Sequence, residues 1–146
     1  METVNESALQ QAPQDKGRRS SEIDLLRSRL NLLDGRDRVM MAMYVENGNS
    51  FRQIARLLGV NEQRINRRIR RLQKGLIDSE YITCLRERRK FTLHQMTVAK
   101  DYFLLGMSRR KIAAKRRLSL YHVRNTVETI QHILSAEYAG SGRSGA

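Results

Sequence analysis

Apolar residues recur at helical spacing along most of this chain, and nowhere do they alternate as a half-buried strand requires. Ile23, Leu26, Leu30 and Leu33 share one face behind Ser20–Ser21, which predicts a helix with a serine N-cap. Val39, Met40, Met43 and Tyr44 form the next face. Ser50 followed by Gln53 has the spacing of a capping box, so a helix over 50–58 is expected, stopping at Gly59. Asn61 then caps a longer helix whose buried stripe is Ile65, Ile69, Leu72 and Leu76. The segment from Gly75 to Lys90 is expected to hold a linking helix capped by Asp78 or Ser79. Thr92 with Gln95 repeats the capping-box spacing and opens helices over about 93–105, 108–116 and 119–136. The one proline, Pro13, lies outside all of these.

The pattern repeats. GNSFRQIARLLGVNEQRINRRIRRL, from Gly48 to Leu72, and GMSRRKIAAKRRLSLYHVRNTVETI, from Gly106 to Ile130, superpose at an offset of 58. Ile54 falls on Ile112, Ala55 on Ala113, Val60 on Leu118, Ile65 on Val123, Ile69 on Val127 and Leu72 on Ile130. Tyr44 falls on Tyr102, Gly48 on Gly106 and Ser50 on Ser108. These are the positions a helix-turn-helix must fill. Ala55 and Ala113 are small where two helices cross, and the branched residues anchor the second helix. Gly59 tolerates the positive φ of the turn, where the second copy has Arg117. The fold class expected is all-α: two tandem tri- or tetra-helical helix-turn-helix units packed together. Their bounds are 21–76 and 91–138, joined by a helical linker at 77–90. Residues 1–20, polar and charged, and the Gly/Ser-rich 139–146 are read as a disordered arm and tail. Units of about 50 residues are marginal alone, and hence the expectation that they pack together.

Composition narrows the partner. A net charge of +13 and a sequence pI near 10.8 attract polyanions, nucleic acid before an anionic membrane. No stretch approaches the roughly 18 apolar residues of a membrane span, and the N-terminus lacks the apolar core of a signal peptide. Cys84 is the sole cysteine, so a disulfide framework and a cysteine zinc site are both excluded. A cytoplasmic, nucleoid-associated location is expected.

The stretch LNLLDGRDRVMMAMYVENGNSFRQIARLLGVNEQRINRRIRRLQKGL resembles region four of bacterial sigma factors. The resemblance is carried by Leu33, Arg36 and Arg38 leading into Val39, Tyr44, Gly48, Ser50, Ile54–Ala55, Leu58–Gly59–Val60 and Ile65. The stretch LGMSRRKIAAKRRLSLYHVRNTVETIQHIL resembles the same region and also the LuxR-type output domain, through Gly106, Ser108, Ile112–Ala113, Leu118–Ser119, Val123, Val127 and Ile130. The resemblances cover roughly 30–76 and 91–134. They imply DNA binding in transcription, often beside RNA polymerase. A complete sigma factor also needs a promoter-melting region, which an arm of about 20 polar residues does not supply, so full sigma activity is not expected.

A recognition helix lies in the major groove with its N-terminal residues at base edges. Opposite the stripe of helix 61–74 lie Gln63, Arg67, Arg70 and Lys74, flanked by Arg64, Asn66 and Arg71. Gln63, Asn66 and Arg67 suit base contacts, because Gln or Asn pairs bidentately with adenine and Arg with guanine. Arg70, Arg71 and Lys74 suit phosphate. Six basic residues face one acidic residue, Glu62, on this helix, whereas a merely solvated helix mixes signs.

In the second copy the exposed face carries Tyr121, His122, Arg124, Asn125 and Glu128. Arg124 and Asn125 are candidates for bases and His122 for phosphate, with Tyr121 beside them. His122 is read as a surface group, since no partner at ligand spacing accompanies it in sequence, and no metal or other cofactor is expected. Arg109, Arg110, Lys111, Lys115, Arg116 and Arg117 flank the preceding helix, where the family geometry implies the DNA backbone, and Ser108 can offer its amide to a phosphate. The second half binding a protein such as a polymerase subunit is the open alternative.

Double-stranded DNA is thus the expected partner, and RNA polymerase the second partner implied. No small-molecule ligand or membrane is expected. The function expected is sequence-specific DNA binding in transcription regulation. The alternative is the DNA-targeting subunit of a recombination, transposition or phage-packaging system. An enzyme is not expected: there is no nucleophile motif or phosphate loop, and Asp101 is the only acid between Arg88 and Val127, too few for two-metal chemistry.

Overall fold

The computed structural model describes the backbone of residues 13–144 and the side chains of residues 20–136. The disorder expected for 1–12 and 145–146 lies outside the described residues. All regular structure described is helical, as the spacing predicted, and the chain divides into two compact units between Ile77 and Asp78.

The first unit comprises α1 (Pro13–Ser28), a 3-10 turn (Leu30–Leu32), α2 (Gly35–Val45), α3 (Phe51–Leu58) and α4 (Glu62–Ile77). α1 starts earlier than the Ser20–Ser21 cap predicted, so residues 13–20 of the expected arm are helical. Leu26, Leu30, Leu33, Met40, Met41 and Val45 bury against Ile54, Ala55, Ile65, Ile69, Leu72 and Leu76. The Ser50 box is closed in both directions: Ser50 Oγ accepts from the Gln53 amide at 3.2 Å, and Gln53 Oε1 accepts from the Ser50 amide at 2.9 Å. Gly59 ends α3 in the left-handed region at φ +68°, and Asn61 Oδ1 accepts from the Gln63 amide at 2.7 Å to start α4.

Three arginines hold this unit by capping helix C-termini, where carbonyls lack partners and the dipole is negative. Arg27 donates to Val45 O at the end of α2 (3.3 Å), and Arg36 to Leu58 O at the end of α3 (3.1 Å). Arg29 donates to Leu76 O and, at 3.2 Å, to Ile77 O at the end of α4.

The second unit comprises α5 (Glu80–Arg86), a 3-10 turn (Arg88–Lys90), α6 (Leu93–Ala99) running on as a π-helical turn (Lys100–Leu104), α7 (Arg109–Arg116) and α8 (Leu120–Ser144). The segment expected as a linker at 77–90 is instead the first helix and turn of this unit. α5, with Ser79 at its N-cap position, buries Tyr81, Ile82 and Cys84 and packs on α6 and α8. The offset of 58 extends to it: the 3-10 turns at 30–32 and 88–90 correspond, as do the starts of α2 and α6, α3 and α7, and α4 and α8. α8 continues beyond the predicted end at 136, so residues 139–144 of the expected tail lie within it.

Where the first unit has Gly59, Arg117 adopts φ +57° and ψ +46°. A left-handed non-glycine residue costs about 1–2 kcal/mol. Arg117→Gly is therefore expected to stabilise the protein by up to about 1 kcal/mol, part of the relief being offset by the flexibility glycine adds to the unfolded chain. Urea unfolding followed by helical CD measures this, and a loss of stability would assign the Arg117 side chain a structural contact.

Cys84 is fully buried, and burial, with Glu80 adding, pushes its thiol from 9.0 up to about 11. Between pH 9 and 11 the folded thiol keeps a proton that the unfolded chain releases, so this contribution to stability is full below pH 9 and falls as pH rises through that window. Unfolding free energies at pH 8 and pH 10 are expected to differ more in the wild type than in Cys84→Ala.

Candidate nucleic-acid interface

α4 turns a cationic ridge outward because its apolar stripe is fixed inward. Ile65, Ile69, Leu72 and Leu76 are buried, and Gln63, Arg64, Arg67, Arg70 and Lys74 on the other side are exposed. Asn66 and Arg71 are half-buried at its edges. Asn66 Oδ1 accepts from Arg70 Nε, and the Arg70 guanidinium lies 6.0 Å from the Phe51 ring centroid, so Arg70 is held upright by a hydrogen bond and a cation–π contact. Arg68, the remaining cation of α4, faces inward. It makes a two-pronged ion pair with Asp37 of α2 (Nε–Oδ1 3.0 Å, Nη2–Oδ2 2.7 Å), which clamps α4 to α2.

A cleft of about 410 Å³ opens where α2 meets the N-terminal half of α4. Arg36, Arg64, Arg67 and Arg68 line it, with Asp37 the single acid and Met40, Val60 and Ile65 its floor. Sequence reasoning placed Arg64 and Arg67 on the helix face but did not bring Arg36 to them. The spacing of Arg36 ahead of Val39 was visible only as part of the resemblance.

Residues 23–72 match the family model of Sigma-70, region 4. The match spans about a third of the chain and lies wholly within the first unit. It supports a region 4-like helix-turn-helix there, and it takes in the end of α1, upstream of where the resemblance began. No curated protein and no solved structure matches the chain.

In the second unit the expected site residues part company. Arg110, Arg117, Tyr121, Arg124 and Asn125 are exposed. Ser108 caps α7, its hydroxyl accepting from the Lys111 amide at 3.2 Å. Arg109 is half-buried, its guanidinium 5.0 Å from the Tyr102 ring centroid. Lys115 and Arg116, expected along the DNA backbone, are exposed and converge on Asp101 in the π-helical turn. Lys115 Nζ lies 3.1 Å from Oδ1, Arg116 Nε 2.8 Å from Oδ2 and Arg116 Nη2 3.2 Å from Oδ1. The Asp101 carboxylate is fully buried, and its hydrogen bond raises the Arg116 pKa above its already high ordinary value. These three groups carry a single net positive charge. His122, expected to stand alone, meets His94 of α6, with Nε2 to Nε2 at 2.8 Å.

Among the described residues no three His, Cys, Asp or Glu side chains gather as metal ligands, and no helix is long and apolar enough to cross a membrane.

The Asp101 cluster ties α7 to the turn ending α6. Losing one member of a buried ion pair typically costs 3–5 kcal/mol. Lys115 and Arg116 keep part of their solvent exposure, so Asp101→Asn is expected to cost about 2 kcal/mol. Lys115→Ala or Arg116→Ala alone is expected to cost less, because the other cation remains. Thermal unfolding of the three variants tests this order.

Proposed function

We propose that this chain is a double-stranded DNA-binding regulator of transcription that reads sequence through α4, without the full activity of a sigma factor. The observation that carries the reading is the exposed ridge of Gln63, Arg64, Arg67, Arg70 and Lys74, set on a region 4-like helix-turn-helix. Such a ridge fits the major groove, with Gln63 and Arg67 toward base edges and Arg70 and Lys74 toward phosphate. The cleft above α4 adds Arg36 and Arg64 as backbone contacts.

In this reading the protein is a binding module rather than an enzyme, and it works in the cytoplasm at the nucleoid. The second unit contributes backbone contacts through Arg110, Lys111, Arg117 and Arg124, which are exposed. Its correspondence in element starts with the first unit supports a second helix-turn-helix, the reading in which the LuxR-type likeness belongs. RNA polymerase is the protein partner this role brings with it.

Fluorescence anisotropy against duplexes selected from a random library, across a salt series, tests the proposal. A preference of about 10³-fold or more over scrambled duplex at physiological salt is expected. Arg67→Ala should cost about 1–3 kcal/mol on the selected duplex and relax its preference. Lys74→Ala should weaken all duplexes alike and reduce the log–log salt slope by about 1. Steep salt dependence with no preferred duplex would replace sequence reading with a generic phosphate clamp.

A further inference from the structure

We propose that His94 and His122 form a binding site for a divalent transition-metal ion of the Zn²⁺, Ni²⁺ or Cu²⁺ class. The proposal is independent of any DNA role. His94 stands in the first turn of α6 and His122 in that of α8, and each is exposed. Their Nε2 atoms are 2.8 Å apart, with ring centroids 4.9 Å apart. The two nitrogens therefore point at one another rather than into separate patches of solvent. Nitrogens bound at about 2.0–2.1 Å to one ion lie about 2.9 Å apart at a right angle and about 3.3 Å apart in a tetrahedron. The rings already stand near the first spacing, and binding turns each Nε2 lone pair off the line between the nitrogens toward the shared ion.

Backbone order supports the placement of both rings. The Thr92–Gln95 capping box fixes the start of α6, with Thr92 Oγ1 accepting from the Gln95 amide at 3.0 Å and Gln95 Oε1 from the Thr92 amide at 2.9 Å. Ser119 Oγ accepts from the His122 amide at 3.0 Å, and Thr126 Oγ1 donates to His122 O at 2.8 Å. The two imidazoles thus project from tied helix starts, and less backbone ordering is left to oppose binding.

Without an ion, one Nε2 donates a proton and the other accepts it. Binding moves that donor ring's proton from Nε2 to Nδ1, so both Nε2 lone pairs face the ion. No proton is lost overall. Imidazole selects Zn²⁺, Ni²⁺ and Cu²⁺, whereas Mg²⁺ and Ca²⁺ require oxygen ligands. The remaining coordination positions open to water, because both rings are on the surface. At the offset of 58, His94 and His122 fall on Arg36 and Arg64, two of the cations lining the first unit's cleft. A bound ion would restore positive charge at the corresponding place in the second unit.

The chain has one other histidine, His132, exposed on α8, which serves as an internal control. Calorimetric titration of the tag-free full chain with ZnCl₂, NiCl₂ and CuSO₄ is expected to give one ion per chain, tightest for Cu²⁺, and none with MgCl₂. His94→Gln and His122→Gln should each weaken binding at least about tenfold, and His132→Gln should leave it unchanged. Tenfold excess of ion over its Kd should raise the Tm by about 5 °C in the wild type and His132→Gln alone. Histidine nitrogen resonances provide a readout on the unmutated protein, with the Nε2 signals of His94 and His122 moving together on addition of Zn²⁺. Undiminished binding in His94→Gln, loss in His132→Gln, or two chains gathered by each ion would overturn the proposal.

Discussion

The outward charge of the first unit depends on one backbone constraint, the left-handed residue at position 59. It ends α3 and turns the chain within three residues into α4. Because Ile54 and Ala55 on one side and Ile65 and Ile69 on the other must then bury against each other, the rotation of α4 about its own axis is set. Everything opposite that stripe is forced outward. A helix whose start drifted by one residue would turn each side chain by about 100° and bring an arginine into the core. The same constraint acts at position 117, where Arg adopts the conformation that glycine takes in the first unit. The position of the turn is kept there at a cost in backbone energy.

Some cations hold the fold and others are left over, while Arg36, which caps α3 and lines the cleft, belongs to both groups. In the first unit Arg27, Arg29 and Arg36 cap helix ends and Arg68 pairs with Asp37. At the offset of 58 those four fall on Leu85, Glu87, His94 and Thr126, so the second unit cannot use the same device. It uses a buried carboxylate, Asp101, to gather Lys115 and Arg116, and these correspond to the apolar Leu57 and Leu58. Two units with the same order of elements thus rely on different polar contacts. The apolar stripe is shared and the ionic clamps are not, because the stripe determines the fold while clamps need only satisfy whichever helix ends and charges are present.

This division explains what the sequence made legible. Helical period, capping boxes at Ser50 and Thr92, the turn at Gly59 and the repeated stripe are local patterns, and each marked its element. The exposed side of α4 followed from the stripe by geometry alone. The helix at 80–86 was legible as a helix but not as part of a unit, since Tyr81 and Cys84 reveal a core only once α6 and α8 are in place. Arg36 beside Arg64, Asp101 beneath Arg116 and His94 against His122 are meetings between separate elements. Sequence spacing carries no signal for them, although the correspondence of Asp101 with an apolar position, Met43, marked it as a departure from the repeat.

The ridge on α4 is also an argument about energy. Arg64, Arg67, Arg70 and Lys74 stand at spacings of three and four, and like charges so placed destabilise an isolated helix by about 0.2–0.5 kcal/mol per pair. Arg64 also lies in the first turn, where the helix dipole disfavours a cation. Asp37 offsets only Arg68, which faces the other way. The helix persists because its stripe of Ile65, Ile69, Leu72 and Leu76 is wholly buried. A row of phosphates along the ridge would offset these repulsions, releasing counterions as it bound. A basic surface that served solubility alone would gain nothing from concentrating its cations where they repel most, and that concentration supports the polyanion contact proposed for the ridge.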